Sequence, residues 1–204
     1  MTLYFFGDSF TYGHGLPDCL IDGEHAGPEP SKLAFPTLVS QQLNIPHVNL
    51  SGPGTSNQHM LYKLRTSDIA AGDIAIFCWS QLNRQLILRQ DQPIHMGPWH
   101  ESAAIYYDLH DDHALRYANV VTLEHAELWC AARGITQLMF SIGPVDCADS
   151  ARYVLDIMRD HEHNNNDMAL DNRHFGAMTH SAWADVIAAH VIRVCKLDSR
   201  DRSH

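Results

Sequence analysis

Ser9 near the start of the chain, and an aspartate and a histidine three residues apart at Asp171 and His174, are side chains whose types could together perform acyl transfer. A serine hydroxyl is a poor nucleophile until a base takes its proton, and histidine is the residue whose ordinary pKa suits that task near neutrality. An acid three residues before a histidine can hold its other nitrogen and stabilise the imidazolium that forms. The oxyanion of a tetrahedral intermediate also needs preorganised donors, which Ser9 N–H, Gly54 N–H and a polar side chain from the stretch Trp79 to Arg84 could supply. Each signal taken singly has a plainer explanation. Gly-Asp-Ser after a strand is often just a turn, glycine-rich turns such as Gly52 to Asn57 are common, and DxxH before a helix is more often a capping arrangement. The chemistry therefore depends on whether the surrounding elements bring four separated segments together.

Those elements alternate. Leu3 to Phe6 is a short apolar and aromatic run that ends abruptly at Gly7, the pattern of a buried strand, which places Ser9 at a strand-to-helix transition where backbone N–H groups lack partners. Pro17 to Pro30 has loop composition. Ser31 is the expected cap of a helix carrying Leu33, Phe35, Leu38, Val39 and Leu43, its regular part beginning at Pro36. His47 to Leu50 is a second strand, closed by Ser51-Gly52-Pro53-Gly54. Thr55 or Ser56 caps a helix running to about Ile69 with Met60, Leu61 and Leu64 inward, and Ile74 to Trp79 is the clearest buried strand. Residues 84 to about 112, with Pro93, Gly97 and Pro98, form a long irregular segment. A helix from about His113 to Arg133 is carried by Leu115, Val120, Leu123, Leu128 and Trp129, and Thr136 to Ile142 is a fourth strand. Val154 to Met158 fits a strand or a helical turn. The last helix runs from about Thr179 to Lys196 on Trp183, Val186, Ile187, Val191 and Val194. This order predicts an α/β fold: a parallel sheet covered on both faces, with functional residues at the carboxyl ends of its strands.

The 204 residues suit one domain, over 1–196, followed by a polar tail over 197–204. With 45% apolar and 19% charged residues, a formal charge of −10 and no basic block, nucleic acid and anionic membranes are not expected partners. No apolar run approaches a membrane span and the first strand starts almost at Met1, so a cytoplasmic protein is expected. Five cysteines without close pairs (Cys19, Cys78, Cys130, Cys147 and Cys195) fit reduced thiols, and zinc spacing is absent. His161 and His163 form an HxH pair in a polar stretch that is more often a solvated loop than a metal site. No metal and no cofactor are expected.

Gly7-Asp8-Ser9-Phe10-Thr11-Tyr12-Gly13 resembles the first sequence block of the SGNH hydrolases, the GDSL-type esterases and lipases. Asn49-Leu50-Ser51-Gly52-Pro53-Gly54-Thr55-Ser56-Asn57 is similar to their second block, best at Gly54, and Asp171-Asn172-Arg173-His174 matches their DxxH block, with Gly176, His180 and Trp183-Ala184 continuing it. The resemblance spans nearly the whole chain. It implies a three-layer α/β/α sandwich with a mostly parallel, flavodoxin-like sheet of about five strands, and a triad of Ser9, Asp171 and His174. The third block departs from the family's Gly-x-Asn-Asp: Cys78-Trp79-Ser80-Gln81-Leu82-Asn83-Arg84 puts Ser80 in the asparagine slot and the nearest asparagine three residues later. The oxyanion hole implied is Ser9 N–H, Gly54 N–H and Asn83 or Ser80, with Asn83 ahead. The Trp-Ser pair and Arg84 resemble a variant block of bacteriophage-encoded relatives.

The function implied is hydrolysis of a small carboxylic ester, such as an O-acetylated carbohydrate, through an acyl-enzyme. The alternative is a binding or structural protein that keeps the fold with a weak or silent site, for example a phage component. Trp79, Arg84, Trp99, Tyr106 and Tyr107 are the expected substrate-binding residues. The segment 85–112 leaves the sheet at its carboxyl edge and is expected to form a lid, although Trp99, Tyr106 and Tyr107 fit ordinary packing equally well.

Overall fold

The computed structural model describes residues 1–89, 92–141, 154–156 and 167–196. In chain order the elements are β1 (Leu3–Phe6), α1 (Ser9–Tyr12), β2 (Leu20–Ile21), β3 (His25–Ala26), α2 (Phe35–Leu43), β4 (His47–Asn49), α3 (Asn57–Thr66), β5 (Ile74–Trp79), β6 (Gln85–Arg89), β7 (Gln92–Met96), α4 (Ala103–Leu109), α5 (Asp112–Ala131), β8 (Thr136–Ser141), β9 (Val154–Asp156) and α6 (Ala177–Cys195). The central sheet has the order β4-β1-β5-β8-β9, and every pairing in it is parallel. Counted by its own strands this is 2-1-3-4-5, the flavodoxin-like order, whose switch point lies between β1 and β5.

Successive residues of these strands face opposite layers. Leu3, Phe5, Ile74, Ile76, Leu138 and Phe140 pack with Phe35 and Val39 of α2 and with Trp183, Ile187 and Val191 of α6. Phe6, Ala75, Phe77, Trp79 and Met139 pack with Met60 and Leu64 of α3 and with Leu123, Ala126 and Cys130 of α5. Burial on both faces is why β5 is one unbroken apolar run, all six of its residues being buried. Ser9, Gly54 and Ser80 all follow the carboxyl ends of strands of this sheet, β1, β4 and β5.

Several expectations need correction. The segment after β5 is not irregular: β6 and β7 form an antiparallel hairpin, Gln85 opposite Met96 and Arg89 opposite Gln92, followed by the short helix α4. Pro93 fits there because a two-stranded hairpin leaves each strand with an outer edge that needs no donor. Pro17 to Pro30 likewise holds the small β2–β3 hairpin. Ser31 does not cap α2; its hydroxyl donates to Asp18, and the cap position is Ala34. The first N–H of that helix, Phe35, instead donates to Nδ1 of the buried His180 on α6. Leu128 is 70% exposed, because α5 turns Leu115, Asn119, Thr122, Leu123, Ala126 and Cys130 inward. Val154–Asp156 is a strand, and the remainder of 142–166, with Cys147 and the His161/His163 pair, lies outside the described residues, as does the 197–204 tail. Among the described residues no helix is long and apolar enough to cross a membrane.

Candidate active site

At the carboxyl end of β1 the chain turns sharply into α1. A methyl group on Gly7 would lie 1.9 Å from Thr11 Oγ1, so only glycine lets the first helical turn fold back onto the strand end. Asp8 caps α1, its carboxylate accepting Phe10 N–H at 3.1 Å, and Gly13 ends the helix at φ +79°. Ser9 is buried in the first position of the helix, where its N–H has no acceptor within the helix.

Asp171 and His174 stand on the short approach to α6, which is folded by Ala169 N–H to His174 O and Asn172 N–H to Ala169 O. Asp171 Oδ1 accepts the N–H groups of Arg173 (3.0 Å) and His174 (3.1 Å), and Oδ2 meets His174 Nδ1 at 2.6 Å. An ionised carboxylate only accepts, so the ring carries its proton on Nδ1 and keeps Nε2 as the basic nitrogen. Burial alone would raise the Asp171 carboxyl, but the two N–H groups and the His174 ring outweigh it and hold the carboxyl below the usual range. The His174 ring lies between Phe10, edge-on at 5.1 Å, and His14, stacked at 4.7 Å. Phe10 follows Ser9 in α1, so the histidine is packed against the helix that carries the serine. Gly15 makes room for the acid: at φ +89° it approaches so closely that a methyl there would lie 2.7 Å from Asp171 Oδ1. Leu170 N–H, bonded to Gly15 O at 3.0 Å, holds this approach.

The loop after β4 is tied to the same place. Asn49 donates to Thr11 O at 3.1 Å, and Gly52 N–H donates to Gly7 O at 3.3 Å. Gly54 has φ +71°, and a methyl there would lie 3.2 Å from Trp99 Cζ2. Trp99 is 57% exposed and has the Arg84 guanidinium 5.4 Å from its ring centre. Gly54, Trp99 and Arg84 therefore share one wall beside Asp8 and Ser9.

After β5 the third segment is held by buried amides. Asn57 brackets the backbone of Ser80, donating to its carbonyl at 3.1 Å and accepting its N–H at 2.7 Å. Asn57 also donates to Asn119 Oδ1 at 2.7 Å, and Asn119 donates to Leu82 O at 3.2 Å. The Ser80 hydroxyl donates to Asp8 Oδ2 at 2.9 Å, so its one proton is already committed. Asn83 has its carbonyl oxygen engaged by the Tyr107 hydroxyl, while its side-chain Oδ1 is buried without a partner among the described residues.

Of the expected substrate contacts, Trp99 and Arg84 lie at this wall. Arg84 is paired with Asp8 at 2.7 Å. Tyr107 supports Asn83 from α4, and Tyr106 packs on His110 at the end of the same helix, ring centres 4.2 Å apart. Trp79 is a correction: 2% exposed and stacked on Phe77 at 4.7 Å, it is a core residue. Sequence reasoning missed Gly15, His14, Asn57 as a bracket, and Asn119. Gly15 alone had a signal, as a glycine just beyond the serine block.

No family model matches the chain, and no curated protein matches it. Solved structures do. An acetyl xylan esterase from the rumen bacterium Butyrivibrio proteoclasticus superposes with TM-score 0.57 at 12% identity, over 96% of this chain and 64% of its own. A carbohydrate acetylesterase family member from Sinorhizobium meliloti gives TM-score 0.57 at 13% identity, over 96% of this chain and 99% of its own. A protein described as lipolytic and of the G-D-S-L family, from Desulfitobacterium hafniense DCB-2, gives 0.57 at 10% identity over 92% and 98%. The chain thus spans just under two thirds of the length of the xylan esterase. It has the α/β/α fold of the SGNH, or GDSL-type, hydrolases.

Proposed function

We propose that this protein is a serine ester hydrolase acting on a small carboxylic ester, with O-acetylated carbohydrate as the substrate class. Ser9 Oγ attacks the acyl carbon while His174 Nε2 takes its proton, and Asp171 holds the ring and stabilises the imidazolium. The oxyanion is met by Ser9 N–H, Gly54 N–H and the Asn83 side chain; Ser80 is set aside because its hydroxyl already donates to Asp8. The imidazolium returns its proton to the leaving alcohol. Water, deprotonated by the same nitrogen, then splits the acyl-enzyme to free acid and Ser9. The observation that carries this reading is the 2.6 Å Asp171–His174 bond on a ring packed against Phe10, the neighbour of Ser9. The carbohydrate class is supported by the exposed Trp99 face beside Gly54 and by the carbohydrate esterases among the similar structures. Trp99, which follows β7, forms one wall of the proposed site.

A fluorophosphonate probe followed by peptide mapping tests it. Labelling is expected at Ser9 in the wild type, none in Ser9→Ala, and strong reduction in His174→Ala, with acetate released from acetylated oligosaccharides only by the wild type. An unlabelled wild-type protein would leave a binding protein of the same fold. Label on another serine would remove the mechanism.

A further inference from the structure

The departure in the third block has a structural counterpart. Asp8 is the residue immediately before Ser9, with its side chain 8% exposed, and its donors come from the helix it caps and from the segment after β5. Oδ1 accepts Phe10 N–H at 3.1 Å; Oδ2 accepts the Ser80 hydroxyl at 2.9 Å and Arg84 Nη1–H at 2.7 Å. The same Nη1 donates to Ser80 Oγ at 2.9 Å, closing a triangle of one charge pair and one hydroxyl. Arg84 is itself 11% exposed. The pair spans the switch point of the sheet, joining the end of β1 to the end of β5.

Such a carboxylate is a hazard to the chemistry proposed above. It stands beside the nucleophile, in a water-poor setting, where negative charge develops on the acyl oxygen, and unpaired it would oppose that charge. We infer that Arg84 is a positioning residue for the hydrolysis: it cancels the Asp8 charge and, with Ser80, fixes the cap that orients the first turn of α1 and hence Ser9. Arg84 thereby takes a different task from the substrate contact expected of it, and Ser80 serves the enzyme's own carboxylate instead of the oxyanion. The inference rests on the esterase reading, and its test separates the two.

The test compares wild type, Asp8→Asn, Arg84→Gln, Arg84→Lys, Arg84→Gly and the double variant Asp8→Asn/Arg84→Gln on p-nitrophenyl acetate, with thermal unfolding of each followed by circular dichroism. Arg84→Gln is expected to lose about a hundredfold in kcat with KM within about twofold, since a misplaced nucleophile and an opposing charge act in the transition state. The double variant, which leaves no bare charge, is expected to recover about tenfold of that loss. Guanidinium at about 20 mM, far below denaturing concentrations, is expected to raise the rate of Arg84→Gly several-fold and to leave the wild type unchanged. Folded Arg84→Gln with kcat within threefold of wild type, or a double variant no better than the single, overturns the inference. Should Arg84→Gln fail to fold, Arg84→Lys and the double variant carry the kinetic comparison. If the wild type hydrolyses no ester, the esterase reading falls, while the pair is still read by unfolding: strictly additive changes in midpoint overturn it, and a double variant more stable than Arg84→Gln supports it.

Discussion

Gly15→Ala should disable the proposed esterase from a position that is neither the proposed nucleophile, Ser9, nor the proposed base, His174. At φ +89° a non-glycine residue is strained by about 1–2 kcal/mol, or roughly 2–8 °C in Tm for a chain of this size. The added methyl would lie 2.7 Å from Asp171 Oδ1 and 2.8 Å from its Cγ and Oδ2, all three atoms of the carboxyl head. Ordinary contact needs about 3.5 Å, so the carboxylate or the Gly15 backbone must yield by about 0.8 Å. The backbone is held by Leu170 N–H, and the carboxylate by the two N–H groups that accompany its 2.6 Å bond to His174. A shift of that size at the ring's anchor is expected to cost about a hundredfold in kcat, with KM for p-nitrophenyl acetate little changed. Steady-state kinetics and thermal melts on the same preparation check it. A folded Gly15→Ala protein retaining more than half its kcat would refute the argument that Asp171 and Gly15 share this space.

Three other outcomes are expected. Burial pushes His59 and His180 down to about 4, helped at His59 by His95 and Lys63. Their stabilising share is complete above about 6.5 and is lost as pH falls toward 4, because the unfolded chain then takes up protons the folded one refuses. Unfolding free energies from urea titrations should therefore decline from pH 7 to 4.5, by roughly 2–3 kcal/mol per histidine, and His59→Gln should show a shallower decline; a flat wild-type profile contradicts this. Burial raises the thiols of Cys19, Cys78, Cys130 and Cys195, Cys130 to about 12, so native iodoacetamide treatment should modify them slowly. Neither it nor EDTA should change ester hydrolysis, whereas zinc-restorable loss with EDTA would indicate a metallohydrolase. Trp99→Ala should raise KM for an acetylated oligosaccharide about tenfold and spare p-nitrophenyl acetate, since this exposed ring is reached only by the larger substrate.

The sheet was legible because parallel strands buried on both faces announce themselves as short apolar runs, as Leu3 to Phe6 and Ile74 to Trp79 do. The β6–β7 hairpin was hidden by its own composition: Pro93 and neighbouring Gly97 and Pro98 outweighed the alternation of Leu86 with Leu88 and Ile94 with Met96. Leu128 was misplaced because a helix period tolerates two adjacent stripes, and the buried one runs through the polar Asn119 and Thr122. Asn119 is inward because it completes the amide bracket around Ser80, a tertiary requirement with no local signature. Ser80 and Arg84 were visible as a departure from the family pattern. What they bind depends on a carboxylate 72 and 76 residues earlier, which spacing cannot reveal.

The fold places Ser9 near one end of the chain and Asp171 and His174 near the other, with α6 locked to α2 through a contact 145 residues long in sequence, Phe35 N–H to His180. During synthesis β1, α1 and β5 leave the ribosome well before the histidine exists. The half-built domain would expose Phe35 of α2 and Phe140 of β8, which α6 later covers, and it would hold Ser9 without His174, its proposed base. If the proposed triad acts, ester hydrolysis would begin only once α6 docks, and its appearance in a translation time course would report that docking.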